Sequence, residues 1–190
     1  MEIILARHGE TEWSRDLKHT SRTDIPLTER GRAEAKQLRR VLEGRSFARV
    51  LSSPLQRAVE TCRLAGLGDQ VELTDDLLEW DYGEYEGITT AEIRRERPDW
   101  KLWRDGCPGG ETAADVGKRV DRVIAELRRL QGDAILFAHG HVLRVLTARW
   151  LGLGPECGAL FKLDTGTLSS LGFERETPVI TRWNSPVSAA

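Results

Sequence analysis

Residues 2–9 read Glu2-Ile3-Ile4-Leu5-Ala6-Arg7-His8-Gly9, and residues 134–141 read Ala134-Ile135-Leu136-Phe137-Ala138-His139-Gly140-His141. Each is a short apolar run that stops at a histidine followed by a glycine. Runs of this kind fit strands buried on both faces, as in a parallel sheet covered by helices. In open α/β sheets, ligands bind at the carboxyl ends of strands beside a topological switch point. Three of the four histidines, His8, His139 and His141, therefore fall where a site belongs. The glycine after each strand-end histidine would let a ligand approach the backbone closely.

Outward from these two strands, the spacing of Ala33, Ala35, Leu38, Val41 and Leu42 predicts a helix over Glu29–Leu42. Ala48–Leu51 reads as the next strand. Ser53, Pro54 and Gln56 then suggest an N-cap, a first helical residue and a capping-box partner for a helix over Pro54–Ala65. Thr89 with Glu92, and Thr112 with Asp115, mark two more helix starts; the second carries Val116, Val120, Val123, Ile124, Leu127 and Leu130 on one face. A helix over about 142–151 follows His141, and Thr167–Asn184 alternates well enough for one or two strands. Strands alternating with helices predict an α/β fold: a three-layer α/β/α sandwich around a mostly parallel central sheet. A single domain over 1–190 is expected, with the polar, aromatic stretch at about 75–111 as an insertion beside the site.

Composition narrows the function. The 190 residues carry a net charge of −2, which favours neither nucleic acid nor an anionic membrane as partner. No apolar run is long enough to span a bilayer, and the first residues read as a strand rather than a secretion signal. Three cysteines, Cys62, Cys107 and Cys157, lack metal-ligand spacing and are odd in number, so a reducing, cytoplasmic location is expected. The basic residues are 23 arginines and 5 lysines. A GC-rich genome accounts for most of that excess, but the guanidinium fork also matches phosphate oxygens. Arg57 falls in the first turn of its helix, where the backbone itself favours an anion.

Arg7-His8-Gly9-Glu10-Thr11-Glu12-Trp13 resembles the signature of the histidine phosphatase (phosphoglycerate-mutase-like) superfamily. The resemblance continues through Thr23–Gly31, Ser52–Ala58, Leu78–Gly87 and Ala138–His141, five blocks in the family's order. It implies that His8 attacks phosphorus to form a phosphohistidine. Arg7, Arg57 and His139 would hold the equatorial oxygens, and Glu79 would protonate the leaving oxygen. The residues alone leave Glu79, Asp81, Glu84 and Glu86 open for that last role, with acidic crowding favouring a protonated member. Thr11, Ser14, Thr20, Ser21, Gly140 and His141 are expected to bind substrate. Ser14 and Ser21 stand where Asn and Gly are common in the family. Trp103–Thr112 together with Ala138–Arg144 is similar to the sedoheptulose-1,7-bisphosphatase type of sugar phosphatase and to actinobacterial acid phosphatases. Arg22, Arg104 and Arg144 are weaker candidates for a second phosphate or for sugar hydroxyls.

The expected activity is hydrolysis of a small phosphorylated metabolite, a sugar phosphate or bisphosphate, with no cofactor and no metal. A mutase would need a closed lid and tail to keep water from the phosphohistidine, and the tail here is short, Ser185–Ala190. A metallohydrolase using His8, His139 and His141 is disfavoured by the adjacent arginines, and a non-catalytic phospho-ligand module by the intact catalytic set. Trp80, Trp100 and Trp103 fit either a pocket mouth or packing beneath a long loop. Family members are often dimers, so a homodimer is an expectation by resemblance.

Overall fold

The computed structural model describes residues 1–187; Ser188–Ala190, the end of the short tail noted above, lie outside the described residues. β1 (Ile3–Arg7) leads through α1 (Glu12–Arg15) to α2 (Glu29–Leu42), β2 (Arg49–Ser52), α3 (Gln56–Leu64) and β3 (Val71–Leu73). The middle stretch holds α4 (Thr90–Glu96) and α5 (Leu102–Asp105), followed by α6 (Ala113–Leu127), β4 (Ala134–Ala138), α7 (Gly140–Trp150), β5 (Thr167–Glu174) and β6 (Thr177–Pro186). The six strands form one sheet in the order β3-β2-β4-β1-β5-β6. β1, β2, β3 and β4 run parallel, whereas β5 pairs antiparallel with both β1 and β6.

Alternation along the strands builds two cores. Ile3, Leu5, Leu51, Leu136 and Ala138 pack with Val116, Val120, Val123 and Leu127 of α6 and with Val142, Leu143 and Leu146 of α7. Ile4, Ala6, Val50, Ile135 and Phe137 face the other way, against Leu38 and Leu42 of α2 and Cys62 of α3. A strand covered on both faces must be apolar at every position, which explains the unbroken run Ala134–Ala138. Among the described residues, no helix is long and apolar enough to cross a membrane.

The local signals held unevenly. Both Thr89/Glu92 and Thr112/Asp115 form reciprocal capping boxes at the starts of α4 and α6. The Ser53/Gln56 box does not form. α3 starts at Gln56 with no side-chain cap, because Ser53 Oγ is 2.8 Å from His139 Nε2 and the Gln56 N–H donates to Asp24 Oδ1. Tertiary partners outcompeted the local ones. Val41, placed on the buried face of α2 by spacing, is exposed.

Candidate active site

The carboxyl ends of β1 and β4 are neighbours through the register Arg7↔Ala138, so His8 and His139 emerge side by side, ring centroids 5.1 Å apart. His8 opens onto a cavity of about 650 Å³ lined also by Arg7, Thr11, Ser14, Glu79 and Gly140, among others, with the buried His139 behind it. That volume suits a metabolite-sized ligand.

His8 has one usable nitrogen. Its Nδ1 lies 2.7 Å from the Gly9 carbonyl oxygen, which can only accept, so Nδ1 carries the hydrogen and Nε2 presents a lone pair. Burial, then the Arg57 and Arg7 charges, push the His8 pKa well below the ordinary imidazole value. The ring is thus held as the neutral nucleophile. Gly9 serves a different purpose from the close ligand approach expected of it. A Cβ there would stand 2.2 Å from the Gly31 carbonyl oxygen, and one on Gly31 would stand 2.1 Å from the Glu10 carbonyl oxygen. The two glycines let the start of α2 press against the loop carrying His8. Gly140, in contrast, does face the site: a Cβ would lie 3.2 Å from Arg7 Cζ.

Arg7 donates to the Leu163 carbonyl through Nη1. Its Nε is, among the described residues, the one buried side-chain nitrogen or oxygen without a hydrogen-bond partner. An orphaned buried donor is normally costly. Arg57 is fully buried. Its Nε donates to His139 Nδ1 at 3.1 Å, and its Nη atoms donate to the Thr20, Ser21 and Thr23 carbonyls at 3.1–3.3 Å. His139 therefore accepts at Nδ1 and donates from Nε2 to Ser53 Oγ. Both of its nitrogens are engaged within the protein, so in this arrangement it positions Arg57 and adds a wall to His8 rather than offering a free donor. A metal would find no free lone pair on His139 either.

Glu79 is buried and sits against the first turn of α7. Its Oε1 accepts from the Trp80 and Val142 N–H groups, both at 2.9 Å, and its Oε2 from the His141 N–H at 3.0 Å. Oε1 is saturated; Oε2 keeps one lone pair for a proton or a substrate oxygen. The loop bearing it is clamped from below by Arg119, which donates to the Asp76, Leu78 and Glu79 carbonyls and pairs with Glu111. The four carboxylates open in the sequence do not crowd. Asp81 pairs with Arg22 at 3.2 Å, Glu86 accepts from the Ser21 and Thr23 N–H groups, and only Glu79 lines the cavity.

The substrate-binding expectations divide. Thr11, Thr20, Gly140, His141 and Arg144 line the cavity, as does Ser14, but the Ser14 hydroxyl is committed to the α1 capping box with Thr11. Ser21 does not line it: its N–H goes to Glu86 and its hydroxyl faces the Glu79 carbonyl. Arg22 and Arg104 are surface residues held by Asp81 and Asp105. Arg144 is fixed beneath by the Gly158 and Ala159 carbonyls and lies 4.7 Å over the Trp103 ring. The tryptophans support this wall and do not line it. Lys18, His19, Tyr82 and Arg94, none of them expected at the site, also border the cavity, because loop folding rather than spacing brings them there. Tyr82 Oη lies 2.6 Å from His141 Nδ1.

His8, His19 and His139 are buried, and burial is the leading cause holding each pKa below the ordinary imidazole value. The unfolded chain then binds more protons than the folded one between the folded values and about 6.5. Their stability contribution is complete above that range and is lost as pH falls through it. The unfolding free energy from urea titrations should fall as pH drops from 7.5 to 5.5, by up to about 1.4 kcal/mol per pH unit for each imidazole that the folded chain keeps neutral. A flat profile over that interval would show that these rings are not held neutral.

A neutral imidazole nucleophile, a guanidinium with a free buried donor and a carboxylate at a helix start converge at strand ends of a covered α/β sheet. That combination defines a phosphoryl-transfer class of enzyme, in which fixed positive donors meet a developing oxyanion. The description of the histidine phosphatase superfamily (branch 1) matches residues 3–186, and the chain belongs to that superfamily as a histidine-type phosphatase. An acid phosphatase of Mycobacterium tuberculosis is 40% identical over 176 residues, covering 90% of this chain and 86% of that one. A sedoheptulose 1,7-bisphosphatase of Saccharomyces cerevisiae is 39% identical over 188 residues, covering 80% and 68%. The solved structure of an open-reading-frame product from Mycobacterium tuberculosis superposes with a TM-score of 0.93 at 36% identity, covering 98% of both chains.

Proposed function

We propose that this phosphatase hydrolyses a sugar phosphate or bisphosphate in two displacements at His8. Nε2 attacks phosphorus in line as the P–O ester bond breaks, and Glu79 Oε2 gives its proton to the departing oxygen. The resulting carboxylate then takes a proton from water, whose oxygen attacks the phosphohistidine and restores the imidazole. Arg7 holds the equatorial oxygens, with Arg57 and His139 fixing the shape behind them. The observation that carries this reading is the His8 tautomer: Nδ1 donates to a carbonyl and leaves Nε2 as a free lone pair within the cavity. Lys18, Arg94 and Arg144 give the cavity a cationic wall beyond the reacting phosphate, which suits a second anion. The names of the two relatives favour hydrolysis of phosphate esters over mutase activity.

Under the same proposal, residues 1–190 act as one domain with 75–111 as its substrate-facing insertion, and the enzyme works in the cytoplasm. The odd number and the spacing of the cysteines support that location. Lack of nucleic-acid binding follows from the charge balance, and a homodimer from resemblance alone. A screen of phosphorylated metabolites should release phosphate fastest from sugar phosphates or bisphosphates. Strong activation of phosphoglycerate isomerisation by bisphosphoglycerate, with little phosphate released, would overturn the hydrolase reading.

A further inference from the structure

His19 has no part in the displacement steps, yet its geometry is unusually well defined. The ring packs edge-on to Tyr82 and Trp100, with centroids 4.8 and 5.7 Å away. Its backbone N–H donates to the Ile88 carbonyl at 3.0 Å, and its own carbonyl accepts from the Gly87 N–H at 2.8 Å. Nδ1 lies 2.8 Å from the same Ile88 oxygen. A carbonyl only accepts, so Nδ1 is the protonated nitrogen and Nε2 a bare lone pair. Burial favours this neutral form. Nε2 makes no hydrogen bond among the described residues, and it is not a sealed atom, since Arg7 Nε alone is buried without a partner. His19 is one of the residues that line the cavity.

His19 Nε2 adds a neutral acceptor to a lining that holds cations and the carboxylates of Asp16 and Glu79. Lys18, Arg94 and Arg144 can only donate. A phosphate or carboxylate oxygen would be served by those cations and repelled by a lone pair. A hydroxyl is the substrate group that can donate to one. We propose that His19 Nε2 accepts a hydrogen bond from a hydroxyl on the carbon chain of the substrate, which makes His19 a specificity-determining residue that selects polyol phosphates. This inference rests on the sugar-phosphate reading above and narrows it. A site built to pair a substrate hydroxyl discriminates against ligands that lack one, because its buried polar group is then left unpaired.

Two substitutions separate this role from packing. In His19→Asn, the amide nitrogen can reproduce the Nδ1 bond to Ile88 but nothing reaches the Nε2 position. In His19→Gln, the side-chain oxygen can occupy the Nε2 position while the Ile88 bond is lost. The readout is the ratio of kcat/KM for the best-hydrolysed sugar phosphate to that for p-nitrophenyl phosphate, which has no hydroxyl. That ratio should fall about tenfold in His19→Asn and recover in His19→Gln. Equal losses on both substrates, or an unchanged ratio, would overturn the proposal. A second arm does not depend on turnover. With fructose 1,6-bisphosphate bound to a His8→Asn variant, the ¹⁵N resonance of His19 Nε2 should move away from its bare-acceptor position, and with p-nitrophenyl phosphate it should not. A shift without any sugar-phosphate hydrolysis would refute the catalytic reading and keep this one; equal shifts with both ligands, or none with the bisphosphate, would refute this one.

Discussion

Replacing His8 with asparagine is expected to lower kcat by about 10⁴-fold or more while leaving the fold intact. Asparagine places an N–H near the position of Nδ1, so the 2.7 Å bond to the Gly9 carbonyl can be kept. What disappears is Nε2, the lone pair that attacks phosphorus. Arg7 and the surrounding donors remain, so a residual rate above the uncatalysed reaction should persist, as it does when a nucleophile is removed from a preorganised oxyanion site. Phosphate release measured beside circular dichroism checks both halves. A folded variant within tenfold of the parent would remove His8 from the mechanism.

Glu79→Gln is expected to show a loss that depends on the leaving group. For alkyl phosphates, whose departing oxygen needs a proton, kcat/KM should fall by about 10²- to 10⁴-fold. For p-nitrophenyl phosphate, whose phenolate leaves unaided, the loss should be far smaller. kcat/KM is the proper measure because it reports the step in which the ester bond breaks. Stability should fall as well. The carboxylate accepts three backbone N–H groups, from Trp80, His141 and Val142. An amide turned either way sets its NH₂ against at least one of them, an unsatisfied arrangement worth about 1–3 kcal/mol. Equal losses on alkyl and aryl esters would mean that Glu79 shapes the start of α7 without passing a proton.

The sheet was legible because its strands are buried on both faces. β4 matches its apolar run at both ends, and α2 matches the span expected from its periodicity. Where the reading failed, a tertiary contact had claimed a group that local rules assign to a cap or a ligand. Ser53 serves His139 instead of capping α3, and Gly9 accommodates Gly31 instead of a ligand. Ser21 lost its N–H to Glu86, a residue 65 positions away in the chain. At the site, strand ends and family motifs located His8, Arg7, Arg57, Glu79 and His139 together. They could not reveal that both nitrogens of His139 are occupied. Nor could they separate Arg144, held at the cavity wall, from Arg22 and Arg104, which are paired at the surface. Such distinctions depend on which carboxylate or carbonyl lies nearby after folding, and no spacing rule encodes that. His19 and Arg119 were invisible for the same reason. Each acts through carbonyls of distant segments, Ile88 for one and Asp76 to Glu79 for the other.

The central claim is that the phosphoryl group rests on His8 between two displacements. Rapid quenching of the enzyme during turnover of ³²P-labelled substrate, followed by peptide mapping, tests it most directly. The expected result is one acid-labile, alkali-stable phosphoryl group on the peptide containing His8, absent from His8→Asn. Full-rate turnover with no label on that peptide, or label that survives in His8→Asn, would contradict it.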